Sequence, residues 1–306
     1  MYKRQGLDAV YVATRPGSHL EIGRKVAAAG KACYIEKPVG RCAAETQALV
    51  DAFSSNKCKL YTAYISRAYD LTQTVHAWLQ EGRVGDTLQS VSYQLVGMGG
   101  ARDMDTNDLP WRLQAAQSGG GLLLDVGCHV LDRLDYLLGP LTNVDGKAEN
   151  RKSPQQPVED YVHLTASIGD SRWTAPNCQG ARVECTWDFA DSGGNGPKDE
   201  LILTGNQGSI RLAAMQPAGP VRLYDLQGTL VDEARFDMPQ HTAQQMIQAV
   251  TDDLRGIQPK PDFLSYGENA VRTSQVMDTV LRSYYGNRDT GYWEDMDAWP
   301  GRSASK

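Results

Sequence analysis

A chain of 306 residues with 31 Lys and Arg against 37 Asp and Glu, a net charge of −6, is long enough for two domains, each with its own core. It carries no dense basic run, which excludes nucleic-acid binding through a charged patch, and no apolar stretch near ~18 residues, which excludes a membrane span. Met1–Gln5 is not leader-like and the six cysteines (Cys33, Cys42, Cys58, Cys128, Cys178, Cys185) form no C-x-x-C pair, so a soluble, cytoplasmic protein with reduced thiols and no metal is expected.

In chain order, the apolar run 8–13 (DAVYVA) predicts a buried strand, and Thr14–Ser18 a turn. Ser18 is placed to cap a helix over 19–29 that ends at Gly30. A second strand over 32–35 leads into Glu36-Lys37-Pro38, a helix spans about 43–54, and a third strand covers 59–64. Strand, helix, strand, helix, strand with short links predicts right-handed crossovers and a parallel sheet. Ligands of such sheets sit beyond the carboxyl ends of the strands. Thr14–Ser18, Glu36–Pro38 and Tyr64–Arg67 all fall at those ends. After a helix over 70–82 the pattern changes to strand-like runs at 87–96, 143–149, 160–168, 181–190, 200–204, 208–213, 221–225 and 229–236. Their turn-length links, Ser192–Pro197 among them, predict a mostly antiparallel sheet. Two helices, about 241–255 and 267–284, close the chain before a polar tail with four aromatics. The fold class is therefore α/β followed by α+β, with a boundary that gives units 1–66 and 67–306.

The stretch 119–132, GGGLLLDVGCHVLD, concentrates the chemistry. A helix starting near Asp125 would put Asp125 and His129 at i and i+4 on one face, with Asp132 close by. A carboxylate beside an imidazole suits an oriented general base, since histidine titrates near neutrality and an acid selects its tautomer. The bland alternative is a capping aspartate and a half-buried helix histidine. Cys128 adjoins His129, but adjacent helix residues do not face each other, which disfavours a Cys/His nucleophile. Pro38 biases Lys37 toward an extended backbone, aiming its ammonium over the sheet edge, where it can donate to a substrate oxygen and where a nearby cationic ring or a low dielectric would lower its pKa and permit proton transfer. The alternative is a surface lysine. Arg67 can take a carboxylate or phosphate bidentately, or form a structural ion pair. Trp111 and Arg112 precede the glycines and can wall a pocket. Neither Gly97–Gly100, whose third-glycine position is Arg102, nor Gly119–Gly121 meets the G-x-G-x-x-G spacing of a dinucleotide loop.

Together these pieces resemble the Gfo/Idh/MocA oxidoreductase family. The resemblance rests on DAVYVAT at 8–14 with His19 after it, AGKACYIEKP at 29–38, AYISR at 63–67 and GGGLLLDVGCHVLD at 119–132, and it runs from about Leu7 to the end. Glu159-Asp160 and the WDF…D stretch at 187–199 also look like the family's substrate-domain sheet. The resemblance implies a Rossmann domain followed by an α/β domain on a large open sheet that forms the subunit interface of a homo-oligomer. It implies NAD or NADP as cofactor and a sugar, cyclitol or related polyol as substrate. By motif, His129 matches the acid/base, Lys37 the lysine that contacts substrate and nicotinamide, and Asp125 the partner of the histidine. Thr14, His19, Glu36 and Lys37 would line the nicotinamide. Tyr64, Arg67, Trp111, Arg112 and Asp125 would meet the substrate.

The sequence departs from the family at its start. The first strand looks like the fourth of the family's Rossmann domain, so about two βαβ units, or ~60 residues, are missing. A truncated Rossmann-like sheet with an exposed strand edge, weak dinucleotide binding and impaired activity are expected. Truncation also opens a second reading, a non-catalytic regulatory protein that senses a sugar or nucleotide on the same scaffold. The presence of Lys37, Asp125 and His129 favours an enzyme. A hydrolase using Asp125 and Asp132 lacks a nucleophile motif.

Overall fold

The computed structural model describes residues 6–97, 109–151, 157–190, 196–258 and 262–303. Met1–Gln5, most of the two glycine-rich links (98–100 with Arg102, and 192–195) and the last three residues lie outside the described residues. The amino-terminal part is a parallel sheet of β1 (Ala9–Val12), β2 (Ala32–Ile35) and β3 (Leu60–Thr62), in that order, connected through α1 (His19–Ala28) and α2 (Ala43–Ser55). The strands are short apolar runs whose inner residues Cys33, Ile35 and Tyr61 have no exposure. Gly30, at a φ of +67°, ends the helix where a residue with a side chain would be strained. β1 is the edge strand, and Tyr11 on it is 52% exposed.

Helix α3 (Asp70–Gln80) and β4 (Leu88–Val96) follow, then α4 (Ala115–Ser118) and α5 (Cys128–Leu138). The chain next forms β5 (Leu141–Glu149), β6 (Tyr161–Ile168), β7 (Arg182–Asp188), β8 (Lys198–Gly205), β9 (Ser209–Leu212), β10 (Gly219–Tyr224) and β11 (Leu230–Phe236). With β4 they make one sheet in the order β11-β10-β9-β8-β4-β7-β6-β5, antiparallel throughout except for the parallel β4–β7 pair. The burial alternates strictly along β6, so one face is covered and the other open. The covered face presents Tyr93, Leu95, Val183, Cys185 and Trp187, all fully buried, beneath a layer formed by α3, α5 and α7 (Gly267–Tyr285).

The boundary drawn at 66/67 is crossed again late in the chain. After α6 (Gln244–Leu254), Ser265 O accepts from Thr62 N at 2.8 Å and Tyr266 bridges Tyr61, so the late segment covers the outer edge of β3. Helix α7 then runs between α2 and β5, which ties the small sheet to the large one. The tail ends in α8 (Pro300–Ser303), with Trp299 buried among Tyr284, Tyr285 and Tyr292. Among the described residues no helix is long and apolar enough to cross a membrane.

Candidate active site

The carboxyl ends of β1 and β2 hold the first half of the site. Thr14 is exposed there, while Glu36 and Lys37 are half-buried. Thr14 Oγ1 accepts from Ser18 Oγ at 2.8 Å, and Glu36 accepts from the Tyr11 hydroxyl at 2.5 Å and from Lys37 N at 3.2 Å. His19 sits behind them with no exposure. Its Nδ1 is 3.1 Å from Pro38 O and 3.2 Å from Val39 O, and its Nε2 is 2.9 Å from Thr14 O. Both ring nitrogens are therefore engaged by main chain. His19 braces the two strand-end loops against each other from beneath.

Lys37 Nζ donates to Asp125 O and to Asp125 Oδ1, both at 2.6 Å. Burial opposes its charge, but the neighbouring Cys128 and Asp125 hold its pKa above the ordinary lysine range. Lys37 is thus a fixed cation. Pairing with Asp125 offsets the lowering that a low dielectric alone would cause.

Asp125 reaches Lys37 because the chain before α5 is not a regular helix. Residues Leu123–Gly127 wind as a single π turn before the α-helical turns begin at Cys128. The wider turn alters the helical register between residues 125 and 129. The expected i, i+4 pair is not made: Asp125 turns to Lys37, and Arg112 Nε approaches the other carboxylate oxygen at 3.6 Å. Trp111 lies on the same short turn as Arg112 and is partly exposed.

His129 is also partly exposed, but its Nδ1 is sealed and has no hydrogen-bond partner among the described residues. Nε2 is not sealed. The ring stands edge-on to Tyr64 at 6.2 Å. Burial, then the Lys37 and Arg133 cations, push its pKa well below the ordinary histidine value, so the imidazole is neutral. Arg133 escaped the sequence reading although helical spacing puts it one turn beyond His129. It is 1% exposed, and Nε and Nη1 have no hydrogen-bond partner among the described residues.

Two expected substrate ligands are turned inward. Tyr64 has no exposure and its hydroxyl is sealed behind the His129 ring. Arg67, 3% exposed, spends its fork on Asp132, with Nε to Oδ2 and Nη2 to Oδ1 both at 2.7 Å. The structural ion pair, the alternative left open by the sequence, is the one formed, so neither residue is available to a substrate in this arrangement. The site thus gathers Lys37, Asp125, Arg112, Trp111 and His129, with Thr14 and Glu36 along one edge.

The glycine triplet serves packing. Gly119 has a φ of +94°, and a Cβ there would lie 2.4 Å from Arg41 O; one on Gly121 would lie 2.5 Å from Glu159 O. Gly121 N donates to Glu159 Oε2 at 2.9 Å, and the Tyr285 hydroxyl donates to the same oxygen. Glu159 stood out in the sequence only as part of the resemblance.

Comparison with known proteins bears on the fold and on descent. The profile of an oxidoreductase family's NAD-binding Rossmann fold (GFO/IDH/MocA) matches residues 1–64, taking in Met1–Gln5, and that of the GFO/IDH/MocA C-terminal domain matches residues 72–211. Oxidoreductase P35 of Formosa agariphila is 23% identical over 273 residues, 89% of this chain and 78% of that protein. Levoglucosan dehydrogenase of Pseudarthrobacter phenanthrenivorans is 30% identical over 140 residues, 45% of this chain; the match spans 35% of that relative. Among solved structures, aldose-aldose oxidoreductase from Caulobacter crescentus complexed with glycerol superposes with a TM-score of 0.72 at 22% identity, over 90% of this chain and 77% of that one. Levoglucosan dehydrogenase in complex with NADH and levoglucosan gives 0.73 at 19% identity, over 90% and 78%. At these identities the superpositions speak for the fold, and the two profiles for descent: the chain belongs to the Gfo/Idh/MocA family of NAD(P)-dependent oxidoreductases.

Proposed function

We propose that the protein transfers hydride between NAD(P) and a secondary alcohol or carbonyl on a sugar, cyclitol or related polyol. The observation that carries this is the pairing of a cationic Lys37, held at 2.6 Å by Asp125, with a neutral His129 whose Nε2 is unsealed. The named relatives support it, since one is a levoglucosan dehydrogenase solved with NADH and its sugar.

The residues present fit the nicotinamide end of a dinucleotide. Thr14 offers a hydroxyl at the end of β1 and Glu36 a carboxylate at the end of β2, on the loop that delivers Lys37, and both suit a carboxamide. When bound, the nicotinamide accepts or gives the hydride. The chain's own groups handle the oxygen and its proton. His129 Nε2 receives the carbinol proton during oxidation and returns it during reduction. Lys37 donates to the carbinol oxygen and stabilises the negative charge that grows there. Asp125 fixes the lysine against its own main-chain carbonyl, and Arg112 and Trp111 border the place where further hydroxyls would sit. In this reading residues 1–66 supply the cofactor side and 67–306 the substrate side.

The test is titration of NADH and NADPH into the full chain by calorimetry, followed by absorbance assays across neutral sugars, cyclitols and sugar acids. Weak coenzyme binding, and coenzyme reduction at a low rate with at least one polyol, are expected. No coenzyme binding by this chain or by a version extended upstream would instead favour the sensor reading.

The open face of the large sheet is the proposed subunit interface. It carries the half-exposed Ile202 and a groove of about 400 Å³ bordered by Lys198, Glu200, Arg211 and Arg222. A dimer is expected in sedimentation equilibrium, and Ile202→Glu should shift it toward monomer. A wild-type monomer at micromolar concentration would remove the proposal.

A further inference from the structure

Arg288 lies in the tail that follows α7, far in sequence from Lys37 and Asp125, and its side chain has no exposure. Its Nη1 donates to Asp278 Oδ1 at 2.5 Å. Its Nη2 donates to Gly119 O at 2.6 Å, to Arg41 O at 2.7 Å and to the Tyr292 hydroxyl at 3.1 Å. The Tyr292 hydroxyl in turn donates to Gly119 O. Asp278 Oδ2 accepts from Ala43 N, at the start of α2, at 2.8 Å. Arg41 itself lies 3.4 Å over the Trp293 ring and forks onto Glu45.

The two carbonyls on Nη2 belong to different loops. Arg41 is on the segment that continues from Lys37-Pro38, and Gly119 opens the segment that leads to Asp125. These loops touch backbone to backbone, since a Cβ on Gly119 would lie 2.4 Å from Arg41 O. The Lys37–Asp125 bond crosses the same seam a few residues away. A guanidinium meant only to anchor the tail would need acceptors anywhere on its neighbours. This one takes a main-chain carbonyl from each side of the seam, and Asp278 compensates its charge, which a buried cation requires.

We propose that Arg288 is a positioning residue for the Lys37–Asp125 pair: its buried guanidinium fixes the distance between the two loops and so holds Lys37 in its place. Tyr292 and the Glu159–Tyr285 pair hold the same glycine loop from either end. The inference rests on the reading of Lys37 and Asp125 as site residues. Its first readout does not need turnover.

That readout is competitive acylation of the full-length protein, with the rate at Lys37 measured by mass spectrometry against the more exposed Lys147 as internal reference. Arg288→Met should raise the Lys37/Lys147 ratio about tenfold, because a lysine freed from its carboxylate reacts faster. Arg288→Lys should behave like Met, since an ammonium lacks the planar fork that spans both carbonyls. In turnover, kcat should fall about tenfold with coenzyme KM within about threefold, and added guanidinium should restore part of the loss. A labelling ratio at the wild-type value in a folded Arg288 variant overturns the proposal. If neither Arg288 variant folds, Tyr292→Phe removes one hydroxyl from the same loop and should raise the ratio about threefold, and an unchanged ratio there overturns it equally. If the wild type turns over nothing, the proposed turnover by this chain fails, while the labelling ratio still decides whether Arg288 positions Lys37.

Discussion

Replacing His129 by Asn should lower kcat by on the order of 10³-fold and leave coenzyme KM within about threefold. Asparagine keeps a polar side chain of similar reach but cannot take up a proton. The expectation follows from the placement of the ring, with one nitrogen sealed and the Lys37 charge near enough to act on it, Lys37 being the lysine proposed to steady the substrate oxygen. Pairing with Asp125 favours the protonated form of Lys37, which makes it the donor to the substrate oxygen in this reading and His129 the base. Steady-state rates of coenzyme reduction by wild type and variant decide the matter. An unchanged kcat would remove His129 from the chemistry and return it to the role of a packed helix histidine.

The same residue sets a pH dependence with a definite sign. His129 has a folded-state pKa well below its ordinary value of 6.5, through burial first and then the Lys37 and Arg133 cations. On acidification the unfolded chain therefore takes up this proton before the folded one does. The stability tied to His129 is intact above about pH 6.5 and is lost as pH falls below it, with a slope of up to ~1.4 kcal/mol per pH unit. His19, also lowered by burial, adds in the same direction, so the Asn variant should lose part of the slope and not all of it. Urea midpoints of both proteins near pH 7 and near pH 5.5 measure the difference, and parallel curves would contradict the sealed imidazole. In turnover, the acid limb of kcat/KM should fall below the ordinary histidine range for the same reason.

Most strands and helices were legible because each carried its own period: alternation along 160–168, helical spacing along 267–284, short apolar runs for the parallel sheet. The site was legible in part. Lys37 at a strand end and Asp125 near a helix start could be placed by topology, but their contact could not. It depends on the π turn at Leu123–Gly127, and a one-residue change in winding leaves no periodic mark in a sequence rich in leucine and glycine. Arg67 stayed open between ligand and structural ion pair for the opposite reason. An arginine at the carboxyl end of a buried strand looks like a ligand, and nothing local says that Asp132, from another element, has already claimed it. Arg288 could not be found at all, because a polar tail residue gains meaning only when the fold buries it against two loops far away in sequence.

Asp132→Asn should destabilise the fold by about 3–5 kcal/mol, with little effect on substrate KM. Asp132 has no exposure and Arg67 has 3%, and the two are joined by paired bonds of 2.7 Å. Asp135 adds a contact to Arg67 at 3.7 Å but is itself forked by Arg272 at 2.7 Å, so it cannot replace the lost carboxylate. The variant would leave a guanidinium buried and short of countercharge, and this carries a larger penalty than the pair ever contributed as attraction. It follows that Arg67→Met with Asp132→Leu should recover most of the loss, since two apolar side chains of similar volume leave no charge stranded. Denaturant midpoints for the two single variants and the double variant give the coupling directly. A large rise in KM on removing Arg67, with stability unchanged, would instead mean that the guanidinium leaves Asp132 to grip substrate. The geometry argues against this: swinging the fork outward would abandon Asp132, a carboxylate with no access to solvent, in the middle of the helix that carries His129.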